Sequence, residues 1–144
     1  MTPITIRQAA ASDAPFIKIL LSQLGYPDFE EKDVVEKITL HGRDDYHMLV
    51  ADLDNKVVGF VSLHWFDLAH WHGKLGRITS FCIDEEFRSR GIGRQMLQAA
   101  EKILLKQDCV KLEVTSNLRR TDAHAFYLNA GYVEDSRRFV KYRT

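Results

Sequence analysis

The chain has 144 residues, 45% of them hydrophobic and 28% charged, the balance of a single soluble globular domain. Its 20 Lys and Arg are matched by 20 Asp and Glu for a net charge of zero, so no long-range field draws it to nucleic acid or an anionic membrane. No bilayer-spanning run or secretory leader is visible, and Cys82 and Cys109 make no disulfide framework or zinc spacing, which fits reduced thiols in the cytoplasm.

Ile4 and Ile6 alternate with Thr5 and Arg7 and predict an opening strand. Ser12-Asp13-Ala14-Pro15 is a helix-start signal, a cap followed by proline in the first turn. Phe16, Ile17, Leu20, Leu21 and Leu24 then mark one face, and Gly25 stops the helix. Asp28-Phe29-Glu30-Glu31 has capping-box spacing and opens a second helix through Val34, Val35 and Ile38, which Gly42 ends. Residues 46–53 and 56–64 read as strands joined by Asp54-Asn55, a hairpin turn. Residues 65–73 form a loop rich in aromatics and histidine.

Residues 75–83 read as a buried strand, and a charged, glycine-bearing turn follows. From Gly93 the apolar period becomes helical, with Met96, Leu97, Ala100, Ile103 and Leu104 at three- and four-residue steps. A further strand at 110–115, a helix at 119–130 and one or two closing strands within 132–142 complete the chain. Helices and strands mix without strict βαβ alternation, which predicts an α+β, mixed sheet with helices on its faces. There are no repeats, low-complexity tracts or interdomain linkers, so residues 1–144 read as one domain.

Strand, glycine loop and helix together make a place for phosphate. The first amides of a helix lack intrahelical partners and sit at the positive end of its dipole, and glycine lets the backbone approach a ligand closely. Arg88, Arg90 and Arg94 add positive charge. A P-loop would need Gly-x-x-x-x-Gly-Lys-Ser/Thr, and a dinucleotide fingerprint would need glycine or alanine where Met96 stands. A lone Gly91-x-Gly93 is also compatible with a plain tight turn.

The longer pattern Arg88-x-x-Gly91-x-Gly93, after an apolar strand and before an amphipathic helix, resembles the acetyl-CoA loop of the GCN5-related N-acetyltransferase (GNAT) superfamily. Ala123-His124-Ala125-Phe126-Tyr127-Leu128-Asn129-Ala130-Gly131-Tyr132 resembles that family's tyrosine-bearing helix. The resemblance implies a mostly antiparallel twisted sheet with helices on both faces, splayed at the acetyl-CoA site. It also implies acetyl-CoA as co-substrate, a small-molecule amine as acceptor and a homodimer, an expectation that the aromatics Trp65, Phe66 and Trp71 join. Within the superfamily, 57–64, 115–127 and 138–142 are most similar to aminoalkylphosphonate N-acetyltransferases. That branch implies an anionic amine, with Arg119, Arg120 or Arg138 to pair with it. It further implies a divalent metal, for which no ligand spacing is visible: His64, His70 and His72 have only Asp67 among them.

Acetyl transfer from a thioester needs a held cofactor, a stabilised carbonyl oxygen, a deprotonated amine and a protonated leaving thiolate. The resemblance assigns cofactor binding to Arg88, Ser89, Arg90, Gly91, Ile92, Gly93 and Arg94, and backbone donors to Phe81, Cys82 and Ile83. Asn117 takes the place of a CoA-contacting asparagine, or serves only as turn chemistry. Tyr127 takes the place of the general acid, since a phenol of pKa ~10 can protonate a developing thiolate; otherwise it packs between Phe126 and Leu128. Many relatives carry a glutamate where Ser80 stands here, beside Thr79 and Phe81, and neither hydroxyl is a base near neutral pH. Glu113, a histidine or water remains for that role. The missing glutamate also suits a non-catalytic acyl-CoA-binding regulatory domain, and an interaction module is the reading in which the loop is only a turn.

Overall fold

A computed structural model of the chain describes residues 3–115 and 121–143. Strands β1 (Thr5–Gln8), β2 (Tyr46–Leu53), β3 (Lys56–Asp67), β4 (Lys74–Ile83) and β5 (Cys109–Val114) form one sheet in the order β1-β2-β3-β4-β5. The first three pairs are antiparallel and β4–β5 is parallel, so the sheet is mostly antiparallel, as expected. Helices α1 (Ala14–Leu24) and α2 (Glu31–Leu40) precede β2; α3 (Ile92–Lys106) connects β4 to β5, and α4 (Thr121–Asn129) follows β5.

Side-chain alternation along the strands separates two cores. Met48, Val50, Phe60 and Cys82 face Ile17 and Leu20 of α1 and Val34 and Ile38 of α2. Leu49, Ala51, Val61, Leu63 and Phe81 face Met96, Leu97, Ala100 and Leu104 of α3. These are four of the five helical residues that the periodicity marks, the fifth, Ile103, being partly buried against the same core, and burying them draws α3 onto the sheet.

Local chemistry sets the boundaries. Gly25 ends α1 at φ 111°, and Asp54 and Asn55 turn the β2–β3 hairpin at φ 50° and 67°, the left-handed pair that a two-residue turn requires. The cap of α2 lies later than the spacing predicts: Asp33 Oδ2 accepts from the Glu30 amide at 2.9 Å, so Glu30, not Asp28, precedes the helix. Strand β3 runs on through Trp65, Phe66 and Asp67, leaving only residues 68–73 as loop. Trp65 belongs to the core because alternation carries it to the α3 face.

The expected closing strands do not form: residues 132–143 carry no strand. The run Glu134-Asp135-Ser136-Arg137-Arg138 offers no apolar alternation to bury, and a Lys111–Asp135 ion pair of 3.7 Å is what ties it to β5. No helix among the described residues is long and apolar enough to cross a membrane.

Candidate active site

Strands β4 and β5 run side by side and then part. Their ladder ends at Ile78↔Val114, while β4 continues to Ile83 paired only with β3. The Asp84 amide donates to the Val58 carbonyl at 2.8 Å. Gly59↔Ile83 is therefore a non-hydrogen-bonded pair, and so is Val61↔Phe81 two residues back. The main-chain groups of Phe81 and Ile83 consequently point away from β3, toward the side that β5 has left. Cys82 differs from the expectation: its main chain belongs to the β3 ladder, and its thiol lies on the α1 side, 3.4 Å from the Leu20 carbonyl. Alternation alone, applied to all three residues, separates Cys82 from its neighbours.

The parting begins at a bulge. Ser62 pairs with Ser80 but Leu63 pairs with Ile78, so Thr79 is the extra residue of β4. Its hydroxyl lies 2.6 Å from that of Ser62.

Beyond Ile83 the chain turns through Glu85, Glu86 and Phe87 into the glycine loop. Arg88 Nε donates to the Ile83 carbonyl at 3.0 Å, which folds the loop back over the end of β4. Ser89 and Gly91 take left-handed dihedrals, φ 64° and 82°, and Gly91 caps the N-terminus of α3. Among the described residues, none other than the chain neighbours of Gly91 has an atom within 4 Å of where its Cβ would stand, whereas a Gly93 Cβ would come 3.3 Å from Phe126. One glycine thus clears an open surface above the helix N-terminus, and the other lets α4 approach α3. Arg90 stacks over the Phe87 ring at 5.0 Å, as does Lys56 from the hairpin at 5.1 Å. Arg94 is exposed on the first turn of α3, and Ile92 is buried beneath the loop. Two surface depressions lie elsewhere, along α1 beside Ile19 and Gln23.

Helix α4 borders the same opening. Phe126 meets Phe81 edge-on, and the Tyr127 ring meets Phe126 at 5.3 Å and Tyr132 at 5.9 Å. The Tyr132 hydroxyl donates to Glu101 of α3 at 2.8 Å. Burial and then this carboxylate hold the Tyr132 phenol well above its ordinary pKa, so it stays a neutral donor fastening the end of α4 to α3. The spacing of Tyr132 to Glu101, 31 residues apart, gave no sequence signal. Asn117, Arg119 and Arg120 lie outside the described residues, and Arg138 is exposed.

The three histidines that lie close in sequence belong to two elements. His64 lies in β3, while His70 and His72 are exposed in the loop. Among the described residues no group of three or more His, Cys, Asp or Glu is placed to hold a metal ion. The residues therefore do not fit the metal that the resemblance to the phosphonate branch implies. Glu113 is held by Arg77 in an ion pair between β5 and β4.

Residues 14–132 match the model of the acetyltransferase (GNAT) family. The chain is 28% identical to an aminoalkylphosphonate N-acetyltransferase of Salmonella typhimurium, over 94% of its own length and 89% of that protein's. It superposes on a GNAT family acetyltransferase of Staphylococcus aureus with a TM-score of 0.82 and 26% identity, covering 99% of this chain and 100% of the other. An aminoglycoside N-acetyltransferase crystallised with CoA has the same fold, with a TM-score of 0.84 at 17% identity, covering 100% and 96%. With the family pattern spanning both core layers, the glycine loop and α4, the chain belongs to the acetyltransferase (GNAT) family, a family of N-acetyltransferases.

Proposed function

We propose that this protein transfers the acetyl group of acetyl-CoA directly to the primary amine of a small molecule. The observation that carries this is the edge of β4 that β5 has left, with the main-chain groups of Phe81 and the amide of Ile83 directed to it and the Ile83 carbonyl taken by Arg88, running into the Gly91 cap of α3. An extended, amide-bearing arm can pair with such an edge, and a pyrophosphate suits the helix N-terminus beyond it. Arg88, Ser89, Arg90, Gly91, Ile92, Gly93 and Arg94 would hold the phosphates, with Asn117 as a further contact. Acetyl-CoA, when bound, supplies the thioester that is broken. The Phe81 and Ile83 amides are the available donors for its carbonyl oxygen, and Tyr127 gives its phenolic proton to the departing sulfur.

The relative from Salmonella typhimurium supports an aminoalkylphosphonate as acceptor class, with Arg119, Arg120 or Arg138 as the phosphonate partner. Cys82 and Cys109 are both buried, and buried thiols that form no disulfide with one another suit a reducing cytoplasm. A homodimer is supported by the exposed tail side chains Phe139, 89% accessible, and Tyr142, 85% accessible. The earlier grounds are reduced: Trp65 is core, Phe66 lies under Arg77, and of those three aromatics Trp71 alone is largely exposed.

One second reading has a specific observation behind it. Ser80 and the bulged Thr79 put no carboxylate on β4 beside the opening, which also suits an acyl-CoA-binding regulatory domain without catalysis. Titration calorimetry with CoA, followed by thiol release from acetyl-CoA with a panel of primary amines, separates the readings. Binding with amine-dependent thiol release is the expected result. Binding without release leaves the regulatory reading, and no binding removes both.

A further inference from the structure

One rung before β4 and β5 part, one cross-strand row spans the face that carries α1 and α2. Tyr46 of β2 pairs with His64 of β3, His64 with Arg77 of β4, and Arg77 with Glu113 of β5. Cross-strand partners share a face, so the four side chains lie in line. The row is one residue from Ile78↔Val114, the last rung before the opening.

The members of the row are differently engaged. Arg77 and Glu113 occupy each other, and Arg77 also lies over the Phe66 ring at 5.1 Å. The His64 ring stacks flat on Tyr46, with centroids 4.2 Å apart and planes within 5°. Tyr46 is in turn edge-on to His41 at the end of α2. His64 Nε2 lies 3.5 Å from Asp45 Oδ2, and the imidazole side chain is 25% accessible. A carboxylate at Nε2 favours the tautomer with the proton there and leaves Nδ1 to accept one. Of the groups facing His64 (Asp45 and Tyr46 from β2 and its approach, His41 from α2, Arg77 and, beyond it, Glu113), Asp45 lies at ion-pair distance from the imidazole.

We propose that His64, oriented by Asp45 and Tyr46, takes the proton from the acceptor amine. This rests on the acetyl-CoA reading above. Along β4 from Ile83 back to Thr79 the strand covers about 13 Å, so an arm entering at the glycine loop delivers its reactive end at the bulge, next to this row. In the step, the amine nitrogen forms a bond to the acetyl carbon and the carbon–sulfur bond breaks. One proton of the ammonium goes to His64 Nδ1, and from there to solvent, to free the attacking amine; the sulfur takes the proton of Tyr127, and the second nitrogen proton restores the Tyr127 phenol. His64 supplies the base that β4 lacks at Ser80, and it does so from the adjacent strand.

The test uses His64→Gln in the full chain with two probe acceptors. One is 2-aminoethylphosphonate, an ammonium at neutral pH; the other is hydroxylamine, which is unprotonated there and needs no base to become the nucleophile. The expected result is a fall in kcat for 2-aminoethylphosphonate of about 100-fold and near-normal transfer to hydroxylamine. The ascending limb of kcat/KM with pH should be lost in the variant and CoA affinity kept. Asp45→Asn should lower kcat with KM held, and Asp45→Glu should restore part of it. An unchanged pH profile in His64→Gln, equal losses with both probes, or wild-type protein that binds CoA yet acetylates neither probe would overturn the proposal. Failure of the wild type to bind CoA would instead overturn the reading beneath it.

Discussion

The Phe126 ring of α4 meets the Phe81 ring of β4 edge-on, centroids 5.9 Å apart at 74°. This contact ties α4 to the one stretch of β4 whose main chain is open, because Phe81 lies beyond the last β5 rung. Tyr127 follows Phe126 directly and packs on it and on Tyr132, so the phenol is carried to the border of the opening.

Tyr127→Phe removes only a hydroxyl and should leave packing and CoA affinity nearly intact. If the hydroxyl protonates the leaving thiolate, kcat should fall by about 100-fold or more, with KM little changed. The loss should shrink with an acyl donor whose thiol is more acidic, because that thiolate needs less help. Steady-state rates with two acyl donors check this, and equal, small effects with both would make Tyr127 a packing residue.

Gly91 separates backbone strain from ligand binding. Alanine at φ 82° is strained by about 1–3 kcal/mol, yet among the described residues nothing beyond its chain neighbours stands within 4 Å of its Cβ. Gly131 is a matched control, at φ 95° and equally uncrowded, but past the end of α4. Gly91→Ala and Gly131→Ala should therefore lower stability by similar amounts in urea unfolding, while Gly91→Ala alone weakens CoA binding by calorimetry. The bulkier Gly91→Val should weaken it further. Equal CoA affinity in a folded Gly91→Val would remove the glycine loop from the cofactor site.

Much of this was legible because it is local. The shift from strand to helical period at Gly93, the Asp54-Asn55 turn and the stop at Gly25 each write a short-range dihedral or burial preference into adjacent residues. The open edge of β4 was legible only through family resemblance, since main-chain donors leave no side-chain signature. The Tyr46–His64–Arg77–Glu113 row was not legible, because three registers and a bulge at Thr79 had to be known before those four residues could be put in line. Trp65 and the 132–142 segment misled for opposite reasons. Trp65 reads as loop until β3 is extended past His64, and the tail has strand-forming residues at its ends but a charged centre.

Asp13 gives a pH dependence with a definite sign. It is 4% exposed, and both its oxygens accept from Arg7, each at 2.8 Å. It also accepts from the Ala10 amide at 2.7 Å, while Arg7 reaches Asp52 of β2 at 3.2 Å. The pair thus pins β1, the start of α1 and β2 together. The Arg7 hydrogen bonds hold the Asp13 carboxyl below its ordinary pKa, with help from the Ala10 amide and against the opposing effect of burial. A folded-state value below the unfolded one means that the contribution is complete above the unfolded value of about 3.9 and is lost as pH falls through the folded value. Asp13→Asn should cost about 1.5–3 kcal/mol at pH 7, the scale of hydrogen bonds to a charged group. The gap between wild type and variant should narrow steadily as urea unfolding is repeated below about pH 4. Stability curves that stay parallel down to the acid limit would show that the Asp13 carboxylate gains nothing from Arg7 on folding, and the junction would then be held by apolar packing around Ala14 and Ile17.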